Sequence, residues 1–300
     1  MTQVDDPNKT TTALIWEGVD EDMEEVGRLQ PQWPIAHTVA VKADVGHHFH
    51  APEVIEASVN SVRAGACAVH LHIRDDQDRD TGDLGLWREV VGEIRRQAGG
   101  DVPIDSGLRG TTFEERMSHV RERLFDIVCV IPTWEPGYLT RGLLEMRENG
   151  VKPEFCIWDS TDIGIARSRF VDRGLIEPPT SWLLVPSTPY YGMPMPTPTL
   201  MARGLLHLIE QVQAVDPDAV ITVCASGRPS SYVTTQAMLL GHHVRPGLGE
   251  THWRYPHRDA GELTTPLLGE DAVTVAQALG RDPATPAQYR ALLGLPPARG

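Results

Sequence analysis

The sequence predicts an α/β chain folded as a (β/α)8 TIM barrel, and three observations carry that expectation. From residue 36 onward, short apolar runs rich in β-branched residues alternate with amphipathic stretches of helical period. Strand-then-helix, eight times over, is the pattern of a parallel sheet closed on itself. The polar residues gather at the C-terminal ends of the runs, where barrel enzymes keep their chemistry. A doubly wound sheet is the alternative, but no glycine-rich phosphate loop follows the first run.

The elements follow in order. Strands are expected at 37–42, 67–73, 102–106, 126–131, 154–158, 181–185, 219–224 and 243–247. Helices are expected at 52–64, 85–97, 112–123, 139–149, 162–173, 199–214, 231–240 and 270–279. Thr112 followed by Glu115 has capping-box spacing, and Pro52 and Pro198 sit near first turns. Thr285 to Leu293 reads as a short closing helix, with Thr285 as cap and Pro286 at its first position. Residues 1–35 differ from the rest: they are polar and acidic (Glu17, Asp20, Glu21, Asp22, Glu24, Glu25) and end in a Pro-Gln-Trp-Pro stretch. They read as an N-terminal arm, with Trp16 and Trp33 arguing that it docks, and residues 36–300 as one barrel domain.

The chain has 300 residues, 41% hydrophobic and 23% charged, which suits a soluble protein with a large core. A formal net charge of -14 argues against a nucleic-acid partner, since phosphates attract basic surfaces; solubility alone accounts for it. No apolar run approaches the ~20 residues of a membrane span, and the acidic N-terminus lacks the order of a signal peptide. Cys67, Cys129, Cys156 and Cys224 have no CxxC spacing and fall in apolar runs, so they read as buried free thiols in a reducing cytoplasm.

The stretch Ala68-Val69-His70-Leu71-His72-Ile73-Arg74 carries the most chemistry. Side chains at i and i+2 of a strand share a face, so His70 and His72 point together with Ala68 and Arg74, while Val69, Leu71 and Ile73 form an aliphatic face. Two imidazoles and a guanidinium thereby meet a common space. Two imidazoles on one strand make half a zinc site; a pair of hydrogen-bonded core histidines is the alternative.

The other strand ends add Lys42 and Asp44, Ser106 and Arg109, Asp159, Ser226 and Arg228, and Arg245 and Glu250. Two neutral histidines and a carboxylate can hold Zn2+ with an open position for a carbonyl or enolate oxygen. The planar fork of Arg245 suits a substrate carboxylate, and Glu250 suits a general base or a metal ligand. Taken singly, each has a plainer reading. Arg74 and Arg245 fit rim ion pairs, and Ser106-Gly107 fits a tight turn. His242-His243 fits a surface strand start, and His47, His48 and His50 fit a solvated loop.

The segment from Ala64 through His70-Leu71-His72-Ile73-Arg74-Asp75 resembles the second-strand motif of the β-keto acid cleavage enzymes, the family of 3-keto-5-aminohexanoate cleavage enzyme. The resemblance continues through Pro103-Ile104-Asp105-Ser106-Gly107, Ala225-Ser226-Gly227-Arg228, Gly241-His242-His243-Val244-Arg245-Pro246-Gly247-Leu248 and Gly280 to Pro286. It implies a zinc-dependent barrel enzyme, usually a homotetramer, that condenses a β-keto acid with acetyl-CoA and cleaves to acetoacetate and a shortened acyl-CoA. By position it implies His70 and His72 as metal ligands, Ser106 as a substrate contact, and Arg245 as the partner of the catalytic carboxylate, here Glu250.

Two departures accompany the resemblance. Where the family reads Arg-x-Gly-x-Glu-Asp after the eighth strand, this chain reads Arg245-Pro246-Gly247-Leu248-Gly249-Glu250, so the metal-binding glutamate is Gly249. Glu250, His252 or water is then the third ligand. At the first strand end, where a Gly-Ala-Glu-type segment binds substrate, Lys42-Ala43-Asp44-Val45-Gly46 puts Asp44 in the acidic role.

The expected partners are therefore a small β-keto acid and acetyl-CoA, with Zn2+ as cofactor, in a cytoplasmic dimer or tetramer without nucleic acid or membrane. Two rivals stand beside this: a zinc hydrolase on the same barrel, and a metal-poor, non-catalytic binding homologue. Residues 131–138 and 186–196, with Trp134, Tyr138, Tyr190 and Tyr191, are the expected specificity loops.

Overall fold

The structure is a computed structural model that describes residues 38–46, 49–186, 197–259 and 261–298. The expected arm at 1–35, His47, His48, and the 187–196 part of the second loop, with Tyr190 and Tyr191, lie outside the described residues.

The apolar runs form strands β1 (Thr38–Val39), β2 (Lys42–Asp44), β3 (Ala68–His70), β4 (Ile104–Gly107), β5 (Ile127–Val130), β6 (Lys152–Ile157), β7 (Ser181–Leu184), β8 (Val220–Val223), β9 (His243–Val244) and β10 (Asp282–Pro283). Strands β2 to β9 pair in sequence order, all parallel. The sheet closes where Val41 meets Val244 and Asp44 meets Gly247, with Asp44 N donating to Pro246 O at 2.9 Å. This is the expected (β/α)8 barrel.

Helices α1 (Ala51–Arg63), α2 (Leu84–Ala98), α3 (Phe113–Arg121), α4 (Pro136–Asn149), α5 (Ser160–Ala166), α6 (Pro198–Val215), α7 (Ser230–Leu239), α8 (Thr265–Ala278) and α9 (Pro286–Leu292) follow the strands. Their starts have visible causes. Thr112 Oγ1 accepts from Glu115 N at 3.2 Å, and the Glu115 carboxylate accepts from Thr112 N at 3.0 Å, a complete capping box. Thr285 and Gln288 repeat the device at α9. The first expected strand is divided, because β1 leaves the barrel to pair with β10 while β2 carries the barrel edge two residues past the predicted end.

Two apolar layers hold the barrel. Outward residues such as Val69, Leu71, Ile104, Phe155, Trp182 and Ile221 pack under the helices in one continuous core. Ala68, Ile127 and Val220 face inward at the N-terminal end, which α9 plugs with Tyr289 and Leu293. Among the described residues, that end is closed, and the inward polar residues open toward the C-terminal end of the strands. Among the described residues, no helix is long and apolar enough to cross a membrane.

Candidate active site

Inward positions of successive strands place charge inside the barrel. Lys42 (β2) is fully buried, and its ammonium lies 2.9 Å from Asp105 (β4) and 2.5 Å from Glu154 (β6). Ser181 Oγ on β7 donates to the other Glu154 oxygen at 3.0 Å. Burial alone would discharge the amine, but Asp105 and Glu154 outweigh it and hold the group well above the ordinary lysine value. Lys42 is therefore not at the rim: it anchors a buried ionic layer.

That layer reaches upward through Asp105, whose Oδ2 also lies 2.6 Å from His70 Nδ1. A carboxylate accepts only, so the neutral ring carries its proton on Nδ1 and leaves Nε2 as the unprotonated, accepting nitrogen. His72 Nε2 lies 3.1 Å from it. Arg109 donates through Nη2 to His72 Nδ1 at 3.0 Å, placing the proton of a neutral His72 on Nε2 and aiming it at His70. Arg109 is ion-paired with Asp80, whose carboxylate is 4.0 Å from His72 Nδ1. The guanidinium that shares the histidine face is thus Arg109, not Arg74 as the alternation suggested. The pairing ends at His70 and the chain turns, so that Arg74 lies against Asp78 in the following turn.

The fit to a metal follows from these contacts. Two nitrogens bound to one tetrahedral zinc stand about 3.3 Å apart, close to the separation seen. His70 has the carboxylate brace that metal-bound imidazoles typically have on the other nitrogen. For His72, Arg109 must withdraw toward Asp80, which can then take the Nδ1 proton. His70, Asp105 and Cys129 also bring ligand atoms within 4.8 Å of one another. The Lys42 ammonium lies against Asp105 on that side, and the Cys129 thiol is held protonated, first by its contact with Cys156 and then by burial. That side therefore braces, and the Nε2 side is the one suited to a cation.

Across the mouth, Arg245 is held by Glu250 through an ion pair and by Cys224 Sγ at 3.5 Å. Ser226 Oγ donates to the other Glu250 oxygen at 3.3 Å. Asp44, completely buried, lies beside Glu250, with its Oδ2 3.5 Å from Arg245 Nε. Its Oδ1 accepts from Gly46 N at 3.1 Å, whereas Oδ2 has no hydrogen-bond donor among the described residues. Burial, reinforced by the Glu250 charge, pushes Asp44 up to about 7 against the pull of Arg245. The loop crosses Asp44 so closely that a Cβ at Gly247 would lie 1.9 Å from its carbonyl oxygen.

The structure thus brings His70, His72, Asp44, Arg245 and Glu250 to the C-terminal end of the barrel. Ser106 is buried beneath them: its hydroxyl donates to Leu71 O at 2.8 Å and accepts from Arg109 Nε at 3.2 Å. His252 is exposed, edge-on to Trp253. Asp159 caps α5 through Thr161 N at 2.7 Å, and Arg228 stacks over Trp253. His50 is exposed at the start of α1. His243 corrects the surface reading, being buried with Nδ1 accepting from Ala40 N at 3.0 Å. All four cysteines are buried free thiols, as expected. Sequence reasoning missed Asp105, Glu154 and Asp80. The available signal was a carboxylate inside an apolar run, in Pro103-Ile104-Asp105 and Pro153-Glu154-Phe155.

A family model described as beta-keto acid cleavage enzyme matches residues 49–295. The chain is 27% identical over 258 residues to the 3-keto-5-aminohexanoate cleavage enzyme of Acetoanaerobium sticklandii, covering 81% of this chain and 89% of that one. It is 27% identical over 254 residues to the 3-oxoadipate:acetyl-CoA acetyltransferase of Cupriavidus necator, covering 81% and 86%. Among solved structures, apo ObcA superposes with a TM-score of 0.69 at 18% identity, over 83% of this chain and 65% of ObcA. This chain therefore spans just under two thirds of that protein, and the likeness concerns the fold.

Proposed function

Because this chain belongs to the β-keto acid cleavage enzyme family, we propose that it is a zinc-dependent acyltransferase that exchanges acyl groups between a β-keto acid and acetyl-CoA. The observation that carries the proposal is the buried Arg245–Glu250 pair at the same barrel end as the His70–His72 pair. His70 and His72 would hold the metal. Zinc, when bound, supplies Lewis-acid polarisation of the keto acid's oxygens.

The protein groups do the rest. Arg245 fixes one Glu250 oxygen, leaving the other, which Ser226 steadies, to accept the α-proton of the keto acid. The α-carbon then attacks the acetyl thioester and expels CoA thiolate. The thiolate adds to the original β-carbonyl, the bond between that carbon and the α-carbon breaks, and the electron pair left on the α-carbon takes back the proton held by Glu250. Acetoacetate and the acyl-CoA of the shortened acid leave, so every atom of the two substrates is retained. Ser106 acts through Arg109 as a positioning residue, because its hydroxyl is committed to Leu71 O and Arg109 Nε.

Incubation with acetyl-CoA and a panel of β-keto acids, read by mass spectrometry, tests this reading. Acetoacetate and a new acyl-CoA in equal amounts are expected, and Glu250→Gln is expected to lower the rate at least 100-fold, as general-base loss does. Keto-acid consumption that needs no acetyl-CoA would instead support hydrolysis. We extend the proposal to a homo-oligomer in the cytoplasm, which light scattering of the purified protein and fractionation check.

A further inference from the structure

We infer that the subsite for the keto acid's side chain is an apolar wall of Ile131, Trp158 and Val185 above Cys129 and Cys156, so that the acids this chain takes carry an aliphatic tail rather than a charged one. The inference rests on the acyl-transfer reading above and deepens it by naming the class of keto acid.

The first observation is how the inner face of the barrel divides. Along β5 to β8, Val128, Val130, Phe155, Ile157, Trp182, Leu184 and Val223 belong to the core under the helices. The alternate residues Cys129, Cys156, Leu183, Val185 and Cys224 form a separate apolar cluster, joined by Ile131 and Trp158 just past their strand ends. Alternation puts that cluster inside the barrel. The corresponding inner positions on or just past β9, β2, β3 and β4 hold Arg245, Asp44, His70 and Asp105. One half of the inner face is charged and polar, and the other is not.

The second is placement. Strands β2 to β9 close in sequence order, and in an eight-stranded barrel each strand faces the one four places on. Thus β7 faces β3 and β6 faces β2, which sets the apolar half across from His70 and Asp44. The halves meet at Arg245, whose Nη1 lies 3.8 Å from Cys129 Sγ and whose Nη2 lies 3.5 Å from Cys224 Sγ. In the proposed reaction the oxygens of the keto acid lie toward His70 and His72, and its α-carbon toward Glu250. The substituent on the β-carbon is left the remaining side, which is this wall.

The third is what the wall offers. Ile131 and Trp158 are half-buried, above the nearly buried Cys129 and Cys156. The Cys129 thiol is held protonated, and burial does the same for Cys224, so these sulfurs act as small hydrophobes. The carboxylates that follow β5 and β6 serve helix starts: Glu135 accepts from Gly137 N at 2.8 Å and Asp159 from Thr161 N at 2.7 Å. Glu154, lower on β6, is held by Lys42 and Ser181. Asp44 is completely buried against Arg245 and presents no exposed oxygen to a substrate ammonium. A charged tail would lose water here and gain no partner among the described residues, whereas a hydrocarbon tail gains from the same burial.

Three acids of equal length test this: 3-oxohexanoate, 3-oxoadipate with its terminal carboxylate, and 5-amino-3-oxohexanoate. With acetyl-CoA and the full chain, kcat/KM for 3-oxohexanoate is expected to exceed both others at least about tenfold, and 3-oxooctanoate to gain about fourfold per added methylene. Calorimetric titration of the acids without acetyl-CoA is expected to give the same order. Ile131→Lys, at the half-buried edge of the wall, is expected to lower the ratio of 3-oxohexanoate to 3-oxoadipate at least about tenfold, a change that loss of folded protein alone does not produce. Equal or greater kcat/KM for either charged acid overturns the subsite and leaves acyl transfer intact. The expected order in binding, with no acyl-CoA formed, overturns acyl transfer and keeps the wall. A chain that binds none of the acids overturns both.

Discussion

Replacing Asp105 with asparagine removes a charge and almost no volume, and its effect should be felt at a nitrogen on the far side of an imidazole. Asp105 Oδ2 receives Lys42 Nζ at 2.9 Å and His70 Nδ1 at 2.6 Å, both from fully or nearly fully buried donors. An asparagine oxygen in the same place still accepts both bonds, but as a neutral acceptor. A hydrogen bond to a charged group contributes about 1.5–3 kcal/mol and a neutral one about 0.5–1.5, so each loses about 1–1.5 kcal/mol. Stability should fall by about 2 kcal/mol, since Lys42 retains Glu154 at 2.5 Å. The neutral brace also makes His70 Nε2 a weaker donor, and losses of brace residues reduce metal affinity about 10–100-fold. Urea unfolding and zinc competition measure the two effects separately. Asp105→Asn with lowered stability but zinc affinity within twofold of wild type would refute the brace, leaving Asp105 only a partner of Lys42.

Lys42→Met removes the ammonium beneath the site and leaves Asp105 and Glu154 facing each other without a cation; unfolding should cost about 3–5 kcal/mol less, and a loss below 1 kcal/mol would contradict the buried ion layer. Burial, assisted by Arg281, pushes His243 down to about 3 from an unfolded value of 6.5. The fold favours the neutral ring, so this stability is complete above pH ~6.5 and drains away as pH falls toward 3, by up to about 1.4 kcal/mol per unit. His243→Asn, which keeps an acceptor for Ala40 N, should flatten the acid limb of a denaturation series by about one proton; an unchanged slope would argue against it. Gly247→Ala sets a Cβ 1.9 Å from the Asp44 carbonyl oxygen, a contact of backbone with backbone that no side-chain rotation relieves. A melting temperature within 1–2 °C of wild type would show that the loop yields, whereas overpacking of about 1–3 kcal/mol should lower it several degrees.

Much of the fold was legible because its causes are local. The alternation of strand and helix, the Thr112–Glu115 and Thr285–Gln288 boxes, and the prolines at 52, 198 and 286 act over a few residues. The His70–His72 pair was legible for the same reason, since i and i+2 of an extended chain share a face. The pattern misled where the chain stopped being extended. Arg74 lies beyond the pairing and turns away, so Arg109, from the next strand's loop, takes the place that alternation gave to Arg74. His243 misled through composition: two adjacent histidines look like surface, yet the second is buried with its Nδ1 accepting a backbone N–H.

By itself, the sequence determined the barrel, its order of strands and the rim on which polar side chains gather, because periodicity and capping are short-range properties. Tertiary structure alone decided which charges meet. Lys42 with Asp105 and Glu154 joins three strands, and Asp44 with Gly249 joins residues 205 positions apart in the chain. No local pattern encodes such meetings, since closure of the barrel is what brings the first strand against the last. An absent side chain at 249 reads in sequence as a gap, and only the closed barrel puts a carboxylate from the opposite end of the chain in that space.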